Sequence, residues 1–396
     1  MASESCKFSA SPRPVFNAPV IHSVRMPRMG KSLPPLIAYV VFCGNLFAQE
    51  ALHFEAAYQY HLGEMKVPRA REDEAVLPNP SLEKALQYLD TAALIWVRQA
   101  GCVSCHTAGT YMLVRSQLTI PPNPPFKEIH EFFIDVLSRY ESNSAEWFRS
   151  GSNSEQVIYT AAGLAEWDAH VEGRTSAATD RALRIMLRTQ LDTGTWNADV
   201  CWPPLESSAY QAATIAARAL AVAPGWLDTL ADADLRRRVT LLKSYLKSAS
   251  AQNDYDRVSL LWTAARLSGL LTDAERDRII QIILRQQRPD GGWSVRSFSK
   301  PEAWGDGSRA RRLRAENDSG APPSDGHMTG LAIIVLRESG IPSTDAHIQR
   351  ALSWLRANQR VSGRWWTRSL NTDTWHFITF SGTAYPLLAL WLCGER

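Results

Sequence analysis

The heptapeptide QRPDGGW (Gln287–Trp293) has two companions in the chain, QLDTGTW (Gln190–Trp196) and QRVSGRW (Gln359–Trp365). All three keep Gln-x-x-x-Gly-x-Trp, and each follows a run of helical periodicity. Glycine permits a sharp reversal, glutamine can hydrogen-bond exposed backbone groups, and tryptophan offers a flat apolar face that fastens neighbouring elements. A repeated turn of this kind implies repeated units that cannot each bury both faces alone.

Outward from these turns, apolar residues at helical spacing define six successive helix pairs. The first joins a helix capped by Ser81 to an apolar run through Tyr111, Met112 and Leu113, and IPPNPP (Ile120–Pro125) ends it. The others are Phe126–Tyr140 with Gln156–Trp167, Ala178–Gln190 with Ser207–Ala221, Leu235–Ser248 with Tyr255–Leu267, Thr272–Gln287 with His327–Arg337, and Asp345–Gln359 with Phe377–Leu392. Thr272 and Glu275 form a capping-box pattern, and a segment rich in Gly, Arg and Asp separates the members of the fifth pair. The expected fold is all-α: an (α/α)6 toroid of six helical hairpins over residues 81–396, one helix of each pair outside and the other lining the centre.

With these motifs the chain resembles the squalene/hopene cyclase and protein prenyltransferase superfamily, whose hallmark is a Gln-Trp repeat on such a toroid. The resemblance extends to Trp202–Leu220 and Ser324–Leu336. It implies a polyprenyl or triterpenoid lipid as partner. The Asp-x-Asp-Asp acid with which cyclases protonate an alkene is absent; its nearest approach is Asp254-x-Asp256-Arg257. The prenyltransferase zinc pattern is met in half by Asp199-x-Cys201, with His327 or His376 to complete it. Zinc is disfavoured, because a buried or disulfide-bonded Cys201 explains the pattern equally well, with Cys393 as the available partner.

The stretch GCVSCHTAGTYM (Gly101–Met112) occupies the first turn and replaces the Gln-Trp pattern after Gln99-x-Gly101. Cys102-x-x-Cys105-His106 is the spacing of c-type haem attachment, with two thioethers and His106 as proximal iron ligand. The alternatives are a redox-active or structural thiol pair, or half of a zinc site. His327, Met328 and His376 are candidate distal ligands at the same mouth of the ring. Glu206, Asp254, Asp325, Arg368 and Asp373 are the other polar residues expected there. Capping is the favoured role for Asp254 and Asp325, Glu206 and Asp325 are carried as substrate contacts, and Arg368 as a substrate or haem-propionate contact.

Arg25, Arg28 and Lys31 precede the apolar run Leu33–Phe42, so residues 1–48 are expected to be an export leader and 49–80 an irregular lead-in, placing the protein outside the cytoplasm. Without residues 1–48, 38 basic residues face 39 acidic ones, a net charge of −1 in place of +3. That balance excludes nucleic acid as a partner and leaves room for peripheral contact with a membrane. Two functions are expected from this pattern. One is an exported ring with covalent haem c, acting in electron transfer or oxidation on a terpenoid, with a redox protein as partner. The other is a non-haem ring that binds a lipid or protein, or acts as an isomerase or transferase without the Asp-x-Asp-Asp acid.

Overall fold

The structure is a computed structural model and describes residues 60–200, 203–316, 318, 320–371 and 377–395. The expected leader, Cys201, Asp373 and His376 lie outside the described residues. From Leu82 the chain is helical: α1 Leu82–Ala100, α2 Thr110–Arg115, α3 Pro124–Ser142, α4 Gly151–Trp167, α5 Ala177–Arg188 and α6 Ala209–Val222. There follow α7 Ala233–Ser248, α8 Asp254–Ala264, α9 Asp273–Arg285, α10 Gly326–Glu338, α11 Ala346–Asn358 and α12 Phe377–Leu392.

Odd-numbered helices are amphipathic and even-numbered ones are apolar nearly all round. On α9 only Ile279, Ile280 and Ile283 are buried, whereas α10 is buried from Gly326 to Leu336. A helix buried on every side must sit inside. The even helices accordingly pack in succession, α2 on α4, α6, α8, α10 and α12, and α12 returns to α2. This closed inner ring inside six outer helices is the expected (α/α)6 toroid. Among the described residues no helix is long and apolar enough to cross a membrane.

The three Gln-Trp turns are one device used three times. Each Trp, at most 1% exposed, donates its indole N–H to a carbonyl ten residues earlier: Trp196 to Met186 (3.1 Å), Trp293 to Ile283 (2.7 Å) and Trp365 to Leu355 (2.8 Å). Each Gln amide donates both to its own turn and to a following outer element: Gln190 to Gly194 and Arg238, Gln287 to Gly291 and His347, Gln359 to Gly363 and Ser81. The turn glycines have φ of 91°, 94° and 85°. A Cβ on them would meet Leu241 O at 2.4 Å, Arg350 O at 2.7 Å and the Lys84 carbonyl carbon at 2.5 Å, so the next outer helix needs the missing side chain.

The Cys-x-x-Cys-His turn stands at the equivalent place but builds no such latch. Gly101 has φ 62° with open space where a Cβ would go, Gln99 donates to His61 O, and Arg139 reaches the Gly101 carbonyl instead. Ser81 and Thr272 cap their helices as expected, and Thr272–Glu275 closes the capping box. The cap of α8 is Asn253 rather than Asp254, whose carboxylate pairs with Arg257 and Gln286. The lead-in carries a two-residue hairpin, β1 His61–Leu62 with β2 Met65–Lys66.

Gly363→Ala should cost about 2–4 kcal/mol, the sum of a left-handed backbone penalty and overpacking, whereas Gly101→Ala should cost only about 1 kcal/mol. Thermal unfolding of the two variants checks this, and equal losses would refute the latch.

Candidate active site

All six inner helices run the same way, so their N-termini gather at one mouth of the ring and their C-termini at the other. Partial positive charge therefore collects at the first end and negative at the second. The side chains at each end divide accordingly.

At the mouth, three aspartates spend both carboxylate oxygens on the scaffold. Asp199 accepts from the Gly151 and Ser152 amides at the start of α4 (both 2.9 Å). Asp256 accepts from Ser208 Oγ and the Gln252 amide, tying α6 to α8. Asp325 accepts from the Met328 and Val295 amides (2.8 and 2.6 Å), which makes it a cap, the role favoured from sequence.

Two glutamates at the same mouth have no such work. Glu155, on the second turn of α4, is 2% exposed and neither carboxyl oxygen has a hydrogen-bond partner among the described residues. Glu206, just before α6, is 4% exposed, and its backbone sits at φ 51°, a left-handed conformation that costs a non-glycine residue about 1–2 kcal/mol. Its contact is the Cys105 thiol, which lies 3.9 Å from Oε2 and points its S–H at it. Burial, then the neighbouring Asp199 charge, pushes the Glu206 carboxyl up to about 8. Burial, then the charges of Glu206 and Asp199, pushes Glu155 well above the carboxylate range. Both acids are therefore held protonated near neutrality, and each opposes ionisation of the other. The hydroxyls of Ser104 and Ser207 and the side-chain carbonyl of Gln211 are also buried without partners among the described residues.

Beyond the acids the axis is aromatic. Tyr159, Tyr255 and Tyr385 are each at most 3% exposed, and the His327 ring stands 5.8 Å from Tyr255 and 5.0 Å from Tyr385. Ser381 donates to Ile378 O, so it accepts from His327 Nδ1–H at 2.8 Å, and Nε2 accepts the Tyr255 O–H at 3.0 Å. This hydrogen-bond assignment keeps the imidazole neutral with both nitrogens engaged, and burial lowers its pKa to about 3. His327 thus braces the wall rather than offering a lone pair to a metal.

The far end is closed by charge. Arg218, fully buried, lies between Glu166 (2.9 Å) and Glu338 (3.2 Å), with its guanidinium 4.2 Å from the Trp262 ring; Arg266 and the Trp262 indole also donate to Glu338. Against the burial that would raise it, Arg218 and Arg266 hold the Glu338 carboxyl down at about 2.

The Cys turn bends into a π-helical turn, Cys105–Gly109, secured by Thr110 Oγ1 on Cys105 O (2.6 Å). Gly109 lets it press on α4, for a Cβ there would lie 2.5 Å from Tyr159. The turn separates the two thiols. Cys102 lies in the outer layer, beside the Trp96 indole N–H, Arg139 and Tyr140, where burial pushes its thiol up to about 11. Cys105 faces the axis, where Glu206, Tyr159, Tyr255 and Tyr385 surround it. His106 is buried with its ring edge-on to Trp96 at 4.8 Å, and Nδ1 contacts Thr107 Oγ1. The two thiols thus stand in different surroundings, Cys102 against Trp96 and Arg139 and Cys105 against Glu206.

Of the expected contacts, Cys105 and Glu206 come together at the mouth. Arg368 instead pairs with Glu316 (3.3 Å) and Glu72 (3.6 Å). Cys393 carries a free thiol. Among the described residues no cluster of three or more His, Cys, Asp or Glu could hold a metal ion. Sequence reasoning passed over Glu155 and Arg218. Arg218 is a charged residue inside a run otherwise apolar at helical spacing, and that was its available signal; Glu155 lies in the polar stretch before the expected Gln156–Trp167 helix and had none.

No family model matches the chain. A stretch of 121 residues, 30% of the chain, is 29% identical to sporulenol synthase of Bacillus subtilis and spans 17% of that protein. Among solved structures, the type II terpene cyclase MstE from Scytonema aligns over 79% of this chain and 99% of its own, with 12% identity and a TM-score of 0.45. A protein from Actinoplanes aligns over 80% and 100%, with 14% identity and a TM-score of 0.45. The closed ring and its Gln-Trp latches are those of an all-α toroid of helical hairpins.

A carboxyl raised by folding from 4.5 to about 8 contributes stability below pH 4.5 that is lost as pH rises through 8. Glu206→Gln abolishes that loss. Relative to the parent, the variant should gain on the order of 4 kcal/mol between pH 5 and pH 9, at about 1.36 kcal/mol per pKa unit. Denaturant unfolding across that range measures it, and a difference independent of pH would show that Glu206 is not held protonated.

Proposed function

We propose that the protein is a non-haem, squalene-cyclase-like ring that takes an unsaturated terpenoid along its axis and catalyses proton transfer on it, as an isomerase or cyclase. The observation that carries this reading is the buried Glu155–Glu206 pair, two neutral acids without counter-charge at the head of an aromatic axis. A protonated carboxyl gives its proton to a carbon–carbon double bond. The π electrons form the new C–H bond and leave a tertiary cation, and the acid becomes a carboxylate. Tyrosine and tryptophan faces stabilise such cations. Loss of a proton from an adjacent carbon back to the carboxylate yields a rearranged alkene, with no net oxidation. Carboxylate charge formed in this step would meet the positive ends of the inner helices, dipoles fixed before reaction.

The test is incubation of the full chain in D2O with squalene and with polyprenyl alkenes, followed by mass spectrometry of the recovered lipid. Deuterium uptake is expected, with the rate falling about 100-fold or more in Glu206→Gln, the scale of general acid catalysis. Absence of uptake by the parent protein with every alkene would refute the reading.

A further inference from the structure

We infer that the Cys-x-x-Cys-His turn holds its two thiols in separate surroundings rather than on a haem, and that Cys105 is a positioning residue for the Glu155–Glu206 pair. The inference rests on that pair being the working site, but its test does not require turnover. Three observations on the turn lead to it. The π-helical turn points Cys105 to the axis while Cys102 stays between α1 and α3. Trp96 and His106 fill the space beside Cys102, ring against ring. The Cys105 thiol addresses Glu206 Oε2 at 3.9 Å, next to Glu155, whose oxygens have no partner among the described residues.

A thiol is a weak donor, small enough to share the axis with three tyrosines and too weak to force a neighbouring carboxyl to ionise. It can orient one oxygen of Glu206 while the acid keeps its proton. The charged or titratable groups acting on Glu206 are Cys105 from the π-helical turn and Asp199 from the loop after α5, and Glu155 of α4 is coupled to it. Cys105 is the one that favours the ionised form, so its removal has a definite sign.

The first measurement needs no variant. The full chain is expressed with a cytochrome c maturation system, denatured without reductant, treated with an alkylating reagent and weighed. The expected mass is that of the chain without haem, alkylated at both Cys102 and Cys105. Covalently retained haem overturns the inference. The second measurement follows stability against pH. Cys105→Ala should raise the midpoint of the Glu206 transition by about half a unit or more, as expected on loss of a donor to the carboxylate. Cys105→Ser should restore it, and Cys102→Ala should leave it in place. Equal midpoints in all four proteins, or equal shifts in the two alanine variants, overturn the positioning role. Should terpenoid turnover fail while the Cys105-specific shift is seen, the thiol assignment stands and the proposed reaction falls.

Discussion

The hydrogen bonds between Gln359 and Ser81 join residues 278 apart and make a ring out of a row of hairpins. Gln359 Oε1 accepts from the Ser81 amide at 2.6 Å, and Nε2 donates to its carbonyl at 2.8 Å. Closing so long a loop costs entropy that grows only slowly with length, and the return is large, because the apolar flanks of α2 and α12 would otherwise face water. The lead-in reinforces this seam. Glu74 accepts from the Ser362 amide and the Arg364 guanidinium, Val361 donates to Ala75 O, and Arg364 donates to Pro68 O. The segment expected to be an irregular approach is therefore a clasp across the closing turn.

Closure with all inner helices parallel makes the two ends of the axis electrically different. At the C-terminal end the helix dipoles favour cations, and the ring buries Arg218 there, compensated by Glu166 and Glu338. At the N-terminal end the dipoles favour anions. Three aspartates take that role and are fully bonded to backbone and hydroxyl donors. Glu155 and Glu206 sit at the same end without those donors, and desolvation outweighs the dipoles. The same end of the ring thus holds structural carboxylates and neutral acids, sorted by hydrogen bonding rather than by depth.

Most of the fold was legible in the sequence because it is written in local patterns. Gln-x-x-x-Gly-x-Trp fixes a turn, a latch and an indole contact within seven residues, and the helix pairs follow from periodicity and caps. The cap of α8 was misplaced by one residue, since Asn253 and Asp254 are both good caps and only the backbone decides between them. The site was less legible. Glu206 stood out as a polar residue near a helix start, but Glu155 is recognisable only when α4 is known to be inside. The separation of Cys102 from Cys105 was also hidden, because the spacing of two cysteines does not reveal a π-helical turn that rotates one of them to the axis.

The missing Asp-x-Asp-Asp tetrapeptide argues against an acid only if the acid must come from one helix. In a closed ring, residues far apart in sequence meet wherever adjacent inner helices begin, and the scaffold tolerates moving the acid from one seam to the next. Here Glu155 lies on the second turn of one inner helix and Glu206 precedes the next, so the α4–α6 seam supplies two carboxyls that no contiguous motif would contain. Neutrality is then a property of the seam: among the described residues neither glutamate has a cationic neighbour to ionise it, and each resists the charge of the other. The buried Arg218 stands at the opposite end of the axis, where it pairs with Glu166 and Glu338 instead.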